Sequence, residues 1–98
     1  MRKPPRRLDD ANVIEWIALQ KSNTETGKTT MHHDGKFIGK PKAFAICQYE
    51  EDPANFLVFY CNEEWQVLAA AGYESIQLAK NQVEKGFSNT LSNWLPYV

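Results

Sequence analysis

The stretch from Phe56 to Gly86, FLVFYCNEEWQVLAAAGYESIQLAKNQVEKG, decides the fold of this 98-residue chain. It contains an apolar run, a polar turn, a second apolar run and a helical pattern that closes on a glycine. Runs of six or seven residues with aromatic and β-branched side chains are typical of strands, whereas apolar residues three and four positions apart are typical of a helix. The stretch therefore predicts two antiparallel strands followed by a helix.

Another apolar run, AFAICQY at residues 43 to 49, precedes this stretch. The turn residues DPAN, at 52 to 55, separate it from the run at 56 to 61, and a polar turn at 62 to 64 separates that run from WQVLAAA. These three runs predict an antiparallel β-meander. In its third strand, alternation places these side chains on one face: Trp65, Val67 and Ala69.

Two helices are predicted to flank the meander. Residues 11 to 21 carry apolar side chains at helical spacing after Asp10, whose carboxylate suits the free amides of a helix N-terminus. Ser75 can cap a second helix from 76 to 85, and Gly86 suits the left-handed position past its end. The fold class predicted is α+β: an N-terminal helix, an antiparallel three- to four-stranded β-meander, and a C-terminal helix packed on the sheet.

Two further segments complete the predicted organisation. Asp34-Gly35 is a two-residue turn signal and predicts a short hairpin at an edge of the sheet or partly outside it. Residues 1 to 8 contain two prolines and four basic side chains and are expected to form a flexible basic arm. Residues 9 to 98 are then expected to form a single α+β domain, because so short a chain cannot build a second core.

The composition excludes several classes of protein. With 43% hydrophobic and 23% charged residues the chain has ordinary globular content, and its net charge of −1 disfavours a dedicated nucleic-acid or membrane-surface protein. The sequence has neither an apolar run of 18 residues nor the apolar core of a signal peptide, so we expect a cytoplasmic protein.

The cysteines and histidines are the candidates for chemistry. Cys47 and Cys61 lie in strand-like runs near cross-strand positions, and a redox pair is the alternative to two reduced, buried thiols, which we expect. His32 and His33 are adjacent and would point to opposite sides of an extended chain, which disfavours zinc. We therefore predict no catalytic, cofactor-binding or metal-binding residue and no cofactor.

One resemblance can be read from this stretch and its flanks. The turn YCNEEW at 60 to 65, the helical pair Ala79-Lys80 and the late Trp94 resemble a group of small uncharacterised bacterial α+β proteins, some of toxin-immunity type. The resemblance covers about residues 42 to 94. It implies a protein that binds a partner, and it assigns no catalytic residue.

The central strands also bear on function. Both faces of the runs at 43 to 49 and 56 to 61 are apolar, whereas an antiparallel sheet with one wet face would alternate, so something must cover the second face. The other helix, the C-terminal tail or a second protein chain could do so. Four aromatic side chains form the candidate interaction surface: Tyr49, Tyr60, Trp94 and Tyr97.

These observations predict a small non-catalytic cytoplasmic protein-binding module, with an immunity-type role as one form of it. The partner is another protein or a second copy, as a homodimer. One alternative is a nucleic-acid-associated accessory protein that uses the basic arm, and another is a small enzyme of unknown reaction.

Overall fold

A computed structural model shows an antiparallel sheet with a helix on one face. The structure describes residues 2–23 and 41–98, together with the backbone of residues 32–33 and 36–37. Its elements are β1 (Arg7–Leu8), β2 (Ala11–Ala18), β3 (His32–His33), β4 (Lys36–Phe37), β5 (Ala43–Gln48), β6 (Phe56–Cys61), β7 (Val67–Tyr73), α1 (Ile76–Gly86) and β8 (Leu95–Pro96). The strand order is β1-β2-β5-β6-β7. β1 pairs with residues 11 and 12 of β2, and β8 pairs with residues 15 and 16 of the same strand. The fold is therefore α+β, as predicted.

The predicted N-terminal helix is wrong, because residues 11–18 form strand β2, paired with β5. A β-bulge between Val13 and Glu15 shifts the alternation by one residue. Val13 and Trp16 therefore both pack into the same side of the sheet although they are three residues apart. This spacing imitates the period of a helix, while Ile17 packs on the opposite side.

Asp10 does not cap a helix but forms, with Asp9, the turn between β1 and β2. Leu8 pairs with Ala11, so the hairpin has a two-residue loop. Both aspartates have positive φ, 47° and 67°, as a type I′ turn requires at its two central positions. Aspartate adopts this region more readily than most residues because its short polar side chain can hydrogen-bond locally.

The predicted meander is confirmed as β5, β6 and β7, with antiparallel pairing throughout. Its third strand begins later than expected, because Trp65 lies in the preceding turn with a φ of 62°. A register shift opposite Tyr60 and Cys61 then places Val67 and Ala69 on opposite faces. The expectation that Trp65, Val67 and Ala69 share one face is therefore wrong.

The predicted C-terminal helix is confirmed as α1. The Ser75 hydroxyl accepts the amide of Leu78 at 3.1 Å, which is the expected N-cap. Gly86 is the last helical residue rather than a left-handed residue beyond the end, and the extended Phe87 closes the helix with its amide on the carbonyl of Val83. The helix packs on β6 and β7.

The predicted hairpin around Asp34-Gly35 also forms. His32 pairs with Phe37 and His33 with Lys36, and β3 and β4 make a two-stranded sheet of their own. The two turn residues lie outside the described residues. Because β3 and β4 pair only with each other among the described strands, the hairpin lies outside the main sheet, which was one of the two predicted positions.

Both faces of the main sheet carry a core cluster. The helix face is the side on which α1 packs, and its buried residues are Ile17, Phe44, Ile46, Val58, Ala79, Val83, Phe87 and Trp94. The second face is the opposite side, and its buried residues are Leu8, Ala11, Val13, Ala43, Ala45, Cys47, Phe59, Cys61 and Trp65. Leu8 and Trp65 lie outside β5 and β6, so the chain itself contributes to covering its second face.

Candidate functional site

The four aromatic residues predicted as an interaction surface do not form one patch. Tyr60 packs against the helix-face cluster, to which Trp94 belongs. Tyr49 and Tyr97 pack against the second-face cluster. The sheet lies between the two pairs.

Each pair also contacts its own chain. Trp94 is 8% exposed, which confirms that it docks on the core, and the Lys80 ammonium lies 6.0 Å from its ring centroid. Tyr60 is half-buried, and burial, followed by the nearby Tyr73 and the hydrogen bond with it, raises the pKa of its phenol. On the other side the Tyr49 hydroxyl donates to the carbonyl of Asp9 at 3.1 Å.

The two cysteines are free and buried, as predicted. Cys47 pairs with Leu57 and Cys61 with Ala43, so both residues lie on the second face, but their Cα positions are four residues apart along the sheet, roughly 13 Å. A disulfide needs Cα atoms within about 7 Å, which excludes the redox pair in this register. Burial raises the pKa of both thiols to about 12, so neither is a ready nucleophile. Smaller contributions come from Cys61 and then Asp9 at Cys47, and from Asp9 at Cys61.

The part of the chain that the structure describes holds no group of three metal-binding side chains. The side chains of His32 and His33 lie outside the described residues. No metal site can therefore be built from the described candidates.

The free edge of β7 is a surface that the sequence did not point to. β7 is the last strand in the sheet order, and among the described residues no strand pairs with its outer side. Its seven residues, VLAAAGY, include neither a charged residue nor a proline, and the bulge lies at its beginning. Soluble proteins usually protect a free edge with charge, proline, a bulge or a short strand. Beyond the bulge, residues 69–73 have no charge, proline or further bulge, and their short length is the one protective feature that they have.

The opposite edge of the sheet is protected in the usual ways. There β1 and β8 are two residues long, and they pair with different parts of β2. Arg7 and Pro96 lie in these short strands. The contrast with β7 makes the β7 edge the better candidate for a protein contact.

Leu78 of α1 extends the β7 edge. Helical neighbours are about 100° apart, so Leu78 and Lys80 project on opposite sides of the buried Ala79. Lys80 reaches back over the sheet to Glu15 of β2, at 2.8 Å. Leu78 therefore projects on the flank away from Lys80, on a helix that packs on β6 and β7, and the residue is 49% exposed.

A second candidate surface, called the aromatic groove, lies on the second face where residues 2–4 contact Trp65 and Tyr97, and where Trp16 packs against Trp65. The rings of Trp16 and Trp65 meet edge to face, with centroids 5.9 Å apart. The indole N–H of Trp65 donates to the carbonyl of Arg2 at 2.9 Å, and Pro4 is fully buried. Residues 2–4, expected as part of a flexible arm, thus have defined contacts at this groove.

Asn62 holds Trp65 in place. Its side-chain oxygen accepts the amides of Glu64 and Gln66, each at 2.9 Å, and the Trp65 amide donates to the Asn62 carbonyl. The asparagine therefore stabilises the 62–66 turn, which places Trp65 on the second face. Its position in the polar turn NEE was the available signal, since asparagine side chains commonly accept nearby amides in turns.

Comparisons with known proteins give no family for this chain: no protein family, curated protein sequence or solved structure matches. The resemblance to small bacterial proteins of toxin-immunity type stays a prediction. No helix among the described residues is long and apolar enough to cross a membrane.

Proposed function

We propose that this protein is a non-catalytic protein-binding module and that its first partner is a second copy, joined through the β7 edge. The observation that carries the proposal is the outer side of β7, which carries no charged residue or proline and pairs with no strand among the described residues. Backbone groups on a free edge are ready to pair with another strand, and nothing in the sequence of β7 opposes that pairing.

A two-fold axis beside Ala70, the central residue of β7, would place two β7 strands antiparallel. Ala69 would then lie opposite Ala71 of the second copy, and such small side chains allow close approach. The two sheets would continue into one, with both α1 helices on the same face. Each Leu78 would then be brought towards the second copy, which gives the contact an apolar component beyond the backbone hydrogen bonds.

The rival functions have less support. Cys47 and Cys61 are buried with a raised pKa, which disfavours nucleophilic catalysis. In the basic arm, Lys3 donates to the backbone oxygen of Val98 and Arg7 pairs with Glu50 at 3.1 Å, so part of its charge is engaged within the chain. Binding without chemistry is the mode expected of an immunity-type protein in the cytoplasm, and that role and location belong to the proposal.

Sedimentation at micromolar concentration tests the β7 contact. We expect the parent chain to sediment at twice its mass of 11.3 kDa. Ala70→Lys places a charge in the middle of the edge at an exposed position, so it should give a folded monomer. Asn81→Lys adds the same charge on an exposed part of α1 and should leave the dimer intact. A parent at 11.3 kDa, or an A70K variant that still dimerises, would overturn the proposal.

A further inference from the structure

At the aromatic groove the chain's own residues 2–4 lie in the manner of a peptide ligand, while Pro5 is exposed. Pro4 is fully buried, and Trp65, 5% exposed, donates its indole N–H to the carbonyl of Arg2 at 2.9 Å. An aromatic ring that takes a proline while an indole N–H binds a nearby carbonyl is the usual chemistry of proline-rich recognition.

The bound segment has its shape before it binds. Each proline fixes φ near −65°, and a residue that precedes proline is kept extended, so Lys3 and Pro4 are both held open by the proline that follows them. Such a segment favours the polyproline II conformation, whose backbone groups are unpaired and free to bind other groups. Little conformational entropy is then lost on binding.

The groove also suits basic residues on either side of the prolines. The Lys3 ammonium donates to the backbone oxygen of Val98 at 2.9 Å and lies 5.0 Å from the centroid of Tyr97. Beyond the prolines, Arg7 pairs with Glu50. Glu64 lines a cleft of about 390 Å³ beside Trp65 and adds negative charge near the bound segment.

From these contacts we propose that the aromatic groove is a binding site for a basic, proline-rich segment of a partner protein, and that residues 2–7 close it from within the chain. The site lies on the second face, away from the β7 edge, and its occupant does not depend on dimerisation. Peptide binding at this groove can therefore be tested independently of dimerisation through the β7 edge.

Closure from within the chain has a measurable consequence. A tethered segment acts at an effective concentration on the order of millimolar, so an added peptide with the same contacts binds only the fraction of molecules in which the groove is open. Weakening the tethered segment raises that fraction. The affinity for an added peptide must then rise although no residue of the groove has changed.

The test uses the full chain and the synthetic peptide acetyl-RKPPRRL-amide, which copies residues 2–8. In the double variant Pro4→Ala, Pro5→Ala, we expect this peptide to bind at least about tenfold more tightly than in the parent. The NMR signal of the Trp65 indole N–H should shift in the variant and return towards its parental position as peptide is added. Pro53→Ala, at an exposed proline of the β5–β6 turn, is the matched control and should bind as the parent does.

A second peptide, acetyl-RKAARRL-amide, keeps the charge and removes the prolines. We expect it to lose most of the binding, and equal binding of the two peptides would overturn the proposal because charge alone would explain it. A folded double variant that binds no more tightly than the parent would overturn it too. If the double variant unfolds, excess proline peptide must restore the parental spectrum, and failure to do so counts against the proposal. A dimer that the peptide dissociates would place a second copy's residues 2–7 in the groove and would overturn the assignment to another protein.

Discussion

Trp65 and Trp94 are both buried, but their indole N–H groups differ. That of Trp65 donates to Arg2, whereas that of Trp94 has no partner among the described residues. Trp65→Phe loses a hydrogen bond, while Trp94→Phe removes a buried donor that is not satisfied. We expect W65F to lower the free energy of unfolding by about 1 kcal/mol more than W94F. Equilibrium urea unfolding measures the difference, and an equal or larger loss in W94F would contradict it.

Glu84 stabilises the loop that follows α1 through hydrogen bonds to three of its residues. Its carboxylate accepts the amides of Asn89, Thr90 and Leu91 at 2.8 to 3.1 Å, and also the Thr90 hydroxyl. Burial opposes ionisation, but these hydrogen bonds outweigh it and lower the pKa of Glu84. Asn23 bonds the carbonyls of Ser88 and Asn89, so the same loop is tied to the turn after β2.

Replacing Glu84 should therefore have an effect that depends on pH. Because the pKa is lower in the folded state, the carboxylate contributes stability above its unfolded pKa, and that contribution is lost as the pH falls through the folded pKa. We expect Glu84→Gln to cost about 1 to 2 kcal/mol at neutral pH. The gap between parent and E84Q should narrow in acid, whereas E74Q, at an exposed carboxylate, should cost little at any pH. A gap that is constant with pH would rule out this role.

Among the elements, the β1–β2 hairpin contains backbone that another residue would fit better. Asp10 has a φ of 67° at the second central position of the turn, where glycine has no steric penalty. We expect Asp10→Gly to raise the free energy of unfolding by about 0.5 kcal/mol. Glycine removes the steric strain of the positive φ, and the greater conformational entropy of the unfolded chain offsets part of that gain. Asp52→Gly, in a turn without positive φ, should instead destabilise. Thermal unfolding compares the two, and stabilisation by D52G alone would refute this account of the hairpin.

At the scale of the molecule, both sides of the sheet are core. Phe44 and Phe59 lie on adjacent strands but on opposite faces, and each is nearly inaccessible to solvent. We expect Phe44→Ala and Phe59→Ala to cost about 3 to 5 kcal/mol each, as buried aromatic truncations do. A loss below about 1 kcal/mol for F59A alone would mean that residues 2–8 and Trp65 do not cover the second face in solution.

Local signals predicted the elements whose environment is local. The hairpin at Asp34-Gly35, the Ser75 cap of α1 and the short apolar runs of β5 and β6 depend on neighbouring residues, and all were found. The chemical character of the cysteines was equally readable, since a thiol inside an apolar run is buried by that run. The doubly apolar strands also implied a second cover before its identity was known.

Tertiary structure decided what no local pattern contains. The bulge in β2 gives a strand the spacing of a helix, and only its pairing with β5 distinguishes the two. The N-terminal residues are an arm by composition, but Trp65, some sixty residues later, donates to the carbonyl of Arg2, and Pro4 is buried. Within the described part of the chain, the β7 edge is unpaired because the strand order ends there, which is a property of the sheet as a whole. Sequence patterns show which side chains are apolar and will be buried. Strand pairing between distant parts of the chain determines which surfaces stay exposed to solvent.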